Sequence, residues 1–482
     1  MAESLTSRAA AGGRWTAVSA VAVVAIQMSQ LFILGRLLDP GDFGLMAMMM
    51  VVIGLANTIA DFGIANFIVR AKVMTGSLCS SLITVSLVCA VILALGIGLA
   101  SPLVAAYFKR PALTGMLPVL GLVIALTATS QVGTALLQRE MRFRAIAIAE
   151  ILSGIAGLVL GTLCALAGLG VWALIVGQLA NMGLKGIFIW GSARNLITFQ
   201  WPAMDPELKS ALRFGLFQTG ERVASFTGQN VDKILVGRMI GETGLGMYSV
   251  AYQLVLKPVA LLNPIFTRVA LPLFSKIQDD DPRLVKGYLQ VARTIGLFAC
   301  PIYLIFIAGS NLIVKVLLGP QWANIGPLLQ ILSVIGILYS QSNPLGLLFI
   351  AKNRADLAFY YNLASIALYA LAVFLGGHYG TTGVAIGVAI VAVGLQFPAE
   401  FYFRWALVGM TIMDYLQAVA FLALAMALPL VVTFGFRILY PHLSGLGWDF
   451  AGLLVALLIY AGTIWATERD LVRGTIVLLY SR

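Results

Sequence analysis

Polar side chains recur at helical spacing in one apolar part of the chain, and they are the residues best able to bind a polar ligand. They lie in the segment 214–238, every three or four positions. This spacing puts them on one face of a helix. The members of this polar stripe are Gln218, Arg222, Ser225, Gln229 and Asp232, with Glu221 and Lys233 beside them.

The rest of the chain is too apolar for a soluble protein. Of its 482 residues, 60% are hydrophobic and only 11% are charged, whereas soluble domains carry about 25% charged residues. The mean hydropathy of +0.96 agrees. Lipid must therefore surround much of the chain. The formal charge of +11 does not indicate a nucleic-acid partner, because the basic residues lie in short loops between apolar runs.

Apolar runs long enough to cross a bilayer, about 17–25 residues each, predict an all-α integral membrane protein with fourteen transmembrane helices. Two parallel six-helix repeats form two lobes around a central cavity, and two helices follow. The predicted parts are a first lobe at 1–190, a cytoplasmic linker with a short interfacial helix at 191–213, a second lobe at 214–410, and two helices with a tail at 411–482.

Lys and Arg set the orientation, since they concentrate on the cytoplasmic side. With fourteen spans and a cytoplasmic N-terminus, 21 of the 31 basic residues fall on the cytoplasmic side, Arg404 among them. Seven fall on the other side and three within spans. Both termini are therefore predicted to be cytoplasmic.

Short strings support the repeat. Phe43-Gly44-Leu45 recurs as Leu245-Gly246-Met247, and the pair Arg139 and Arg142 recurs as Lys352 and Arg354. The matches keep their order at nearly constant spacing. Transporters built from such parallel halves bind substrate between them and rock to alternate access.

Charges inside a membrane are costly and usually face a cavity or a partner. Guanidinium groups bind phosphate oxygens in bidentate geometry, so Arg222, Lys257 and Arg268 are predicted to hold an anionic diphosphate. Amides and hydroxyls would bind sugar along the same wet path. The remaining predicted substrate-binding residues are Arg14, Gln27, Gln30, Gln218, Ser225, Gln229 and Asn263.

Buried acids could couple transport to a proton or sodium ion, because burial favours the protonated or cation-bound form. The candidates are Asp61, Glu150, Glu221 and Asp232, and Glu400 is a further acid within or near a span. The alternative is that Glu221 pairs with its neighbour Arg222 and that these acids are structural.

Signals for other chemistry are missing. No GxxxxGK[ST] string occurs, so no ATP-binding loop is predicted. The chain has two histidines, His378 and His442, and four cysteines without metal-ligand spacing. The run Asp279-Asp280-Asp281 is interpreted as a solvated loop rather than a metal site. No catalytic residue, metal or cofactor is predicted apart from the coupling ion.

Several strings, each weak alone, together resemble the Wzx-type exporters of the colanic-acid and exopolysaccharide group. These exporters belong to the multidrug/oligosaccharidyl-lipid/polysaccharide exporter superfamily. The strings include Leu34-Gly35-Arg36-Leu37-Leu38, Leu137-Gln138-Arg139-Glu140-Met141, Gly170-Val171-Trp172-Ala173-Leu174 and Asp232-Lys233-Ile234-Leu235-Val236-Gly237-Arg238.

This resemblance implies a flippase that moves an undecaprenyl-diphosphate-linked oligosaccharide across the bacterial inner membrane. It also implies membrane lipids, a polymerase and export machinery as partners, in exopolysaccharide or lipopolysaccharide biosynthesis. Two alternatives stay open. A drug or cation exporter of the same fold would favour acids and aromatics in its cavity, and a membrane-embedded glycan polymerase would need a large outer loop or a histidine–acid motif.

Overall fold

The computed structural model describes residues 5–61, 64–70, 74–196, 206–440, 442 and 445–469, and within these ranges the secondary structure is helical. The first helices in chain order are α1 Leu5–Leu37, α2 Pro40–Asp61, α3 Ile64–Arg70, α4 Gly76–Phe108, α5 Leu113–Arg139, α6 Phe143–Leu166, α7 Val171–Ala193, α8 Pro206–Met239 and α9 Glu242–Lys276.

The second series is α10 Asp281–Ala308, α11 Ser310–Ile313, α12 Ile325–Ala351, α13 Ala355–Gly377, α14 Gly380–Val391, α15 Phe397–Val408, α16 Ile412–Leu439 and α17 Leu446–Thr467. One π-helical turn, Ala392–Gln396, joins α14 to α15. These two helices therefore form a single membrane-length element.

Among the described residues, thirteen helices are long and apolar enough to cross a membrane. The all-helical, multi-span prediction is confirmed. The residues predicted as the seventh span lie in α8, which is too polar to belong to these thirteen. The count of fourteen, the six-helix repeat and the cytoplasmic termini therefore stay predictions.

The linker differs from its prediction. A helix begins at Pro206 and continues to Met239 as one element of 34 residues. The short helix predicted for the linker is therefore not a separate element, and its place at the membrane interface stays a prediction. No proline follows until Pro258, so nothing here removes a backbone donor from the helix.

Contacts divide the chain into two compact units, Met1–Gly246 and Met247–Arg482. The boundary falls after α8 and not in the predicted linker, because α8 packs on α2 and α4. The predicted lobe boundaries at 190, 213 and 410 remain sequence-based proposals.

Glycines set the closest helix approaches in the first unit. A Cβ on Gly157 would lie 2.7 Å from the carbonyl oxygen of Gly177, so α6 and α7 touch backbone to backbone. A Cβ on Gly44 would overlap the backbone of Glu242, and one on Gly246 would overlap that of Pro40. Small residues permit this packing where lipid supplies no hydrophobic force between helices.

In the second unit, the two last helices are fixed by charge and packing. Asp449 of α17 accepts ion pairs from Lys315 at 3.2 Å and Arg437 at 3.0 Å. Arg293 of α10 pairs with Glu468 just beyond α17. Residues of α16 and α17 share one apolar cluster with α10. They belong structurally to this unit although the predicted repeat excludes them.

The close approach of Gly246 to the backbone of Pro40 yields a stability test. We expect Gly246→Ala to lower the melting temperature in detergent by several degrees, because forcing a methyl group against backbone costs about 1–3 kcal/mol. The control is Gly96→Ala on α4, where a Cβ meets nothing within 4 Å. Equal melting temperatures for the two variants would contradict the close crossing.

Candidate functional site

A polar cavity of about 420 Å³ lies within the first unit, between α2, α5 and α8. Its lining combines one acid, one cation, three amides and two hydroxyls with a single aromatic ring. The residues are Asn57, Thr58 and Asp61 from α2, Gln131 from α5, and Arg222, Ser225, Phe226 and Gln229 from α8.

The charged pair of this cavity is Asp61 and Arg222, which form a salt bridge between α2 and α8. The side chains keep 16% and 34% of their surface exposed, respectively. The pair is therefore neither dry nor fully solvated. A predicted ion-coupling acid and a predicted diphosphate ligand thus meet in one place, and the carboxylate already compensates the guanidinium charge.

Neutral polar groups occupy the rest of the wall. Gln229 Nε2 donates to Ser225 Oγ over 3.0 Å, and Thr58 Oγ1 donates to the carbonyl oxygen of Gly54 over 2.8 Å. Asn57 Oδ1 is buried, with no hydrogen-bond partner in the part of the chain that the structure describes. An unmatched acceptor at a cavity wall can accept a hydrogen bond from a ligand hydroxyl, because a buried acceptor without a hydrogen bond costs free energy.

Local packing explains how the polar stripe reaches this cavity. The ring of Phe226 lies where Gly54 would carry a side chain, so α8 seats closely on α2. One turn on either side of Phe226, Arg222 and Gln229 then lie opposite the polar end of α2. The predicted stripe therefore faces the cavity over positions 222 to 229.

The sequence analysis missed Asn57, Thr58, Gln131 and Phe226. Asn57 and Asp61 are four residues apart, so they share a helix face, and this spacing was the available signal. Gln131 offered a weaker signal, as an amide next to several hydroxyl residues of α5.

Other predicted residues of the first unit lie elsewhere. Glu150 accepts hydrogen bonds from Ser19 Oγ at 3.0 Å and Lys185 Nζ at 3.1 Å, which ties α6 to α1 and α7. Asp232 is buried and accepts from the backbone N–H of Lys233. Arg14 and Gln27 are exposed on α1, and Gln30 contacts α7 near Gly177. The side chains of Gln218 and Glu221 lie outside the described residues.

Three predicted ligands lie on α9 in the second unit. Lys257 and Asn263 are half-buried and Arg268 is exposed. Asn263 Oδ1 is buried without a hydrogen-bond partner among the described residues. None of the three lines the cavity between α2, α5 and α8.

A dry ion pair lies in the second unit. Arg404, counted with the loops in the sequence analysis, is completely buried, because α15 continues to Val408 and carries it inside. Arg404 Nη2 donates to Glu400 Oε2 over 2.7 Å, and Arg404 Nε donates to the hydroxyl of Tyr288 over 2.8 Å. The ring of Tyr415 lies 4.6 Å from the guanidinium carbon.

Glu400 receives further hydrogen bonds from Ser342 Oγ at 2.5 Å and from the hydroxyl of Tyr361 at 2.9 Å. The network therefore joins α10, α12, α13, α15 and α16. Arg404 Nη1 is buried without a hydrogen-bond partner among the described residues, but Arg404 and Glu400 are sealed from solvent at 0% and 1% exposure. A ligand has no access to the pair, which favours a structural role.

Metal-binding groups do not converge in the described residues: no cluster of three His, Cys, Asp or Glu could hold an ion. The four cysteines are free. In the acidic run, Asp280 caps α10 by accepting from the backbone N–H of Arg283 at 3.1 Å, and Asp281 pairs with Lys352 at 2.5 Å. These acids are engaged in capping and ion pairing.

The chain shares its fold with a solved membrane transporter. The solved structure of the lipid II flippase MurJ in an inward closed conformation matches with a TM-score of 0.75, over 95% of this chain and 99% of that chain, at 14% identity. That level of identity shows the common fold.

Sequence comparison then gives the family. The model of the family described as "Polysaccharide biosynthesis protein" matches residues 33–327, so the chain belongs to that family. The lipopolysaccharide biosynthesis protein WzxC of Escherichia coli K12 is 30% identical over 398 residues, covering 81% of this chain and 80% of WzxC. The teichuronic acid biosynthesis protein TuaB of Bacillus subtilis is 28% identical, covering 92% and 91%. The predicted resemblance to Wzx-type transporters, rather than to enzymes, is confirmed.

The dry pair yields a second stability test. We expect Glu400→Gln to destabilise the chain by about 3–5 kcal/mol, because it leaves the buried Arg404 without its counter-charge. The matched control is Asp356→Asn, which breaks the exposed pair with Arg354, whose side chains are 53% and 49% exposed. Unfolding in detergent should shift strongly for the first variant and little for the second. Equal shifts would contradict a structural role for the dry pair.

Proposed function

We propose that this protein flips an undecaprenyl-diphosphate-linked oligosaccharide repeat unit from the cytoplasmic to the periplasmic leaflet. The transport serves exopolysaccharide or lipopolysaccharide biosynthesis and works by alternating access. The location is the bacterial inner membrane, with the pathway's polymerase and export machinery as further partners. Family membership and the flippase fold support this class of substrate.

The observation that carries the proposal is the cavity between α2, α5 and α8. Within a membrane helix bundle, a wall of amides and hydroxyls around a half-wet ion pair has no role in packing, since apolar side chains would be more stable there. Sugar hydroxyls both donate and accept hydrogen bonds. Asn57, Gln131 and Gln229 can match both, and the ring of Phe226 offers an apolar face.

The prediction of a cationic cavity needs a refinement at Arg222. Arg222 is already paired with Asp61, so neutralising that carboxylate would free the whole guanidinium for a diphosphate. Protonation of Asp61 would release the guanidinium to the cargo and would couple transport to a proton. Lys257 and Arg268 remain the other proposed diphosphate ligands.

The alternatives have weaker support. A drug or cation exporter would leave a carboxylate available to a cationic cargo, whereas Asp61 is compensated by Arg222. A glycan polymerase needs a histidine–acid constellation or a large outer loop, and the sequence shows neither.

A first test addresses the sugar-binding wall. We expect Asn57→Ala and Gln131→Ala each to slow lipid-linked oligosaccharide flipping in proteoliposomes about tenfold, since each removes hydrogen bonds worth about 1–1.5 kcal/mol. The control is Thr227→Ala on α8, whose hydroxyl donates to Val223 of its own helix and does not line the cavity. Wild-type flipping by both cavity variants, at equal protein level, would contradict the proposal.

A second test separates diphosphate binding from coupling. We expect Arg222→Gln, Lys257→Gln and Arg268→Gln to reduce flipping, because each removes a cation proposed to hold the diphosphate. Collapse of the proton gradient should stop wild-type transport and have less effect on Asp61→Asn. Normal transport in all three glutamine variants would eliminate these cations as ligands. Wild-type transport that is indifferent to ion gradients would eliminate coupling.

A further inference from the structure

Two turns at equivalent places of the predicted repeat share one backbone geometry. Between α5 and α6, Met141 has a φ of 55°, and between α12 and α13, Asn353 has a φ of 53°. The N–H of Arg142 donates to the carbonyl of Leu137 over 2.8 Å, and the N–H of Arg354 donates to that of Phe349 over 2.8 Å. The turns therefore differ in their side chains and not in their shape.

In the turn before α13, each cation has an acid. Arg354 Nε and Nη2 both donate to the carboxylate of Asp356, each over 3.0 Å. Lys352 Nζ pairs with Asp281 over 2.5 Å. This turn carries no uncompensated positive charge.

The turn before α6 has a cation where the other has an acid. Two residues after Arg142, at the place corresponding to Asp356, stands Arg144. Both side chains are exposed. Neither forms an ion pair with any residue that the structure describes. The guanidinium of Arg144 lies over the ring of Trp15 at 5.5 Å, which holds it in place without neutralising it.

These two arginines lie at the rim of a second cavity, of about 430 Å³, between α6 and α7. Its walls are mainly apolar and include Ile148 and Phe188, which are 38% and 37% exposed. Ser192 adds one hydroxyl. Since α6 and α7 are both membrane-length helices, an apolar cavity open at their surface is accessible to lipid chains.

We propose that this cavity binds an acidic glycerophospholipid of the cytoplasmic leaflet. Arg142 and Arg144 bind the phosphodiester, one acyl chain lies along Ile148 and Phe188, and Ser192 receives the headgroup. Basic sites at the cytoplasmic end of transmembrane helices attract anionic lipid, and the bias of Lys and Arg predicts that end here. A free phosphate would gain nothing from the apolar wall, so a lipid is the occupant that uses the whole cavity. The site is separate from the cavity between α2, α5 and α8, and it does not depend on the cargo.

The experiment measures lipid binding by the full-length protein in detergent, by native mass spectrometry, with phosphatidylglycerol and phosphatidylcholine as probes. We expect preferential binding of phosphatidylglycerol, reduced at least about tenfold in the double variant Arg142→Gln with Arg144→Gln, because both charge-assisted contacts to the phosphodiester are lost. The matched control is Lys352→Gln with Arg354→Gln, which changes the net charge equally. It should bind like wild type.

Four outcomes would overturn the proposal. Equal loss in both double variants would mean attraction by net charge alone. Undiminished binding by the Arg142 and Arg144 variant would place the lipid elsewhere. Complete displacement of phosphatidylglycerol by inorganic phosphate would assign the arginines to a different ligand. Tighter binding of a short-chain polyprenyl diphosphate than of phosphatidylglycerol would do the same. Because the readout is binding and not flipping, failure here leaves the proposed transport function untouched.

Discussion

A charge within hydrocarbon must meet an opposite charge or water, and this constraint separates the two polar centres of the chain. In the second unit, Arg404 and Glu400 have exposures of 0% and 1%, pair with each other and form hydrogen bonds with hydroxyls from three helices. In the first unit, Asp61 and Arg222 are partly wet, and Asn57 beside them keeps an unmatched acceptor. The sealed pair of Arg404 and Glu400 fixes helices, whereas the partly exposed pair of Asp61 and Arg222 lies where a ligand can reach the unmatched acceptor.

The wet centre depends on packing that lipid cannot drive. Between membrane helices, close fit replaces the hydrophobic effect as the source of association. The contact of Gly54 with Phe226 brings the polar α8 to α2. The close approach of Gly44 to Glu242 holds the start of α9 against α2 as well. Without these small residues, α8 would present Arg222 and Gln229 to lipid at a cost of several kcal/mol.

The sequence predicted the helices and the polar stripe, because apolar length and three- to four-residue spacing are local signals. Arg222, Ser225 and Gln229 were found in this way and do line the cavity. The partner of Arg222 was not found. Asp61 lies 161 residues away, and pairing over such a separation is decided by tertiary packing, so the neighbouring Glu221 was the only partner that sequence alone suggested.

For Arg404, the sequence rule predicted the wrong environment. Basic residues near the end of an apolar run are usually loop residues, and here that rule was wrong because α15 continues past the arginine. Glu400, four residues earlier, carried the correcting signal, since residues at this spacing meet on one helix face. Lys257, Arg268 and Asn263 could be placed on a helix but not in a site, because a site joins faces of several elements and spacing describes only one.

The two predicted halves show how a duplicated scaffold can acquire different surfaces. Backbone hydrogen bonds and one residue with positive φ fix the turn before α6 and the turn before α13 in the same conformation. The shape then constrains neither Arg144 nor Asp356, since both side chains project from an exposed helix start. Changing that one position turns a neutral pair into two uncompensated cations at no cost to the backbone. The charge of the side chains at such turns can therefore change, and with it the ligand they bind, while the backbone fold stays the same.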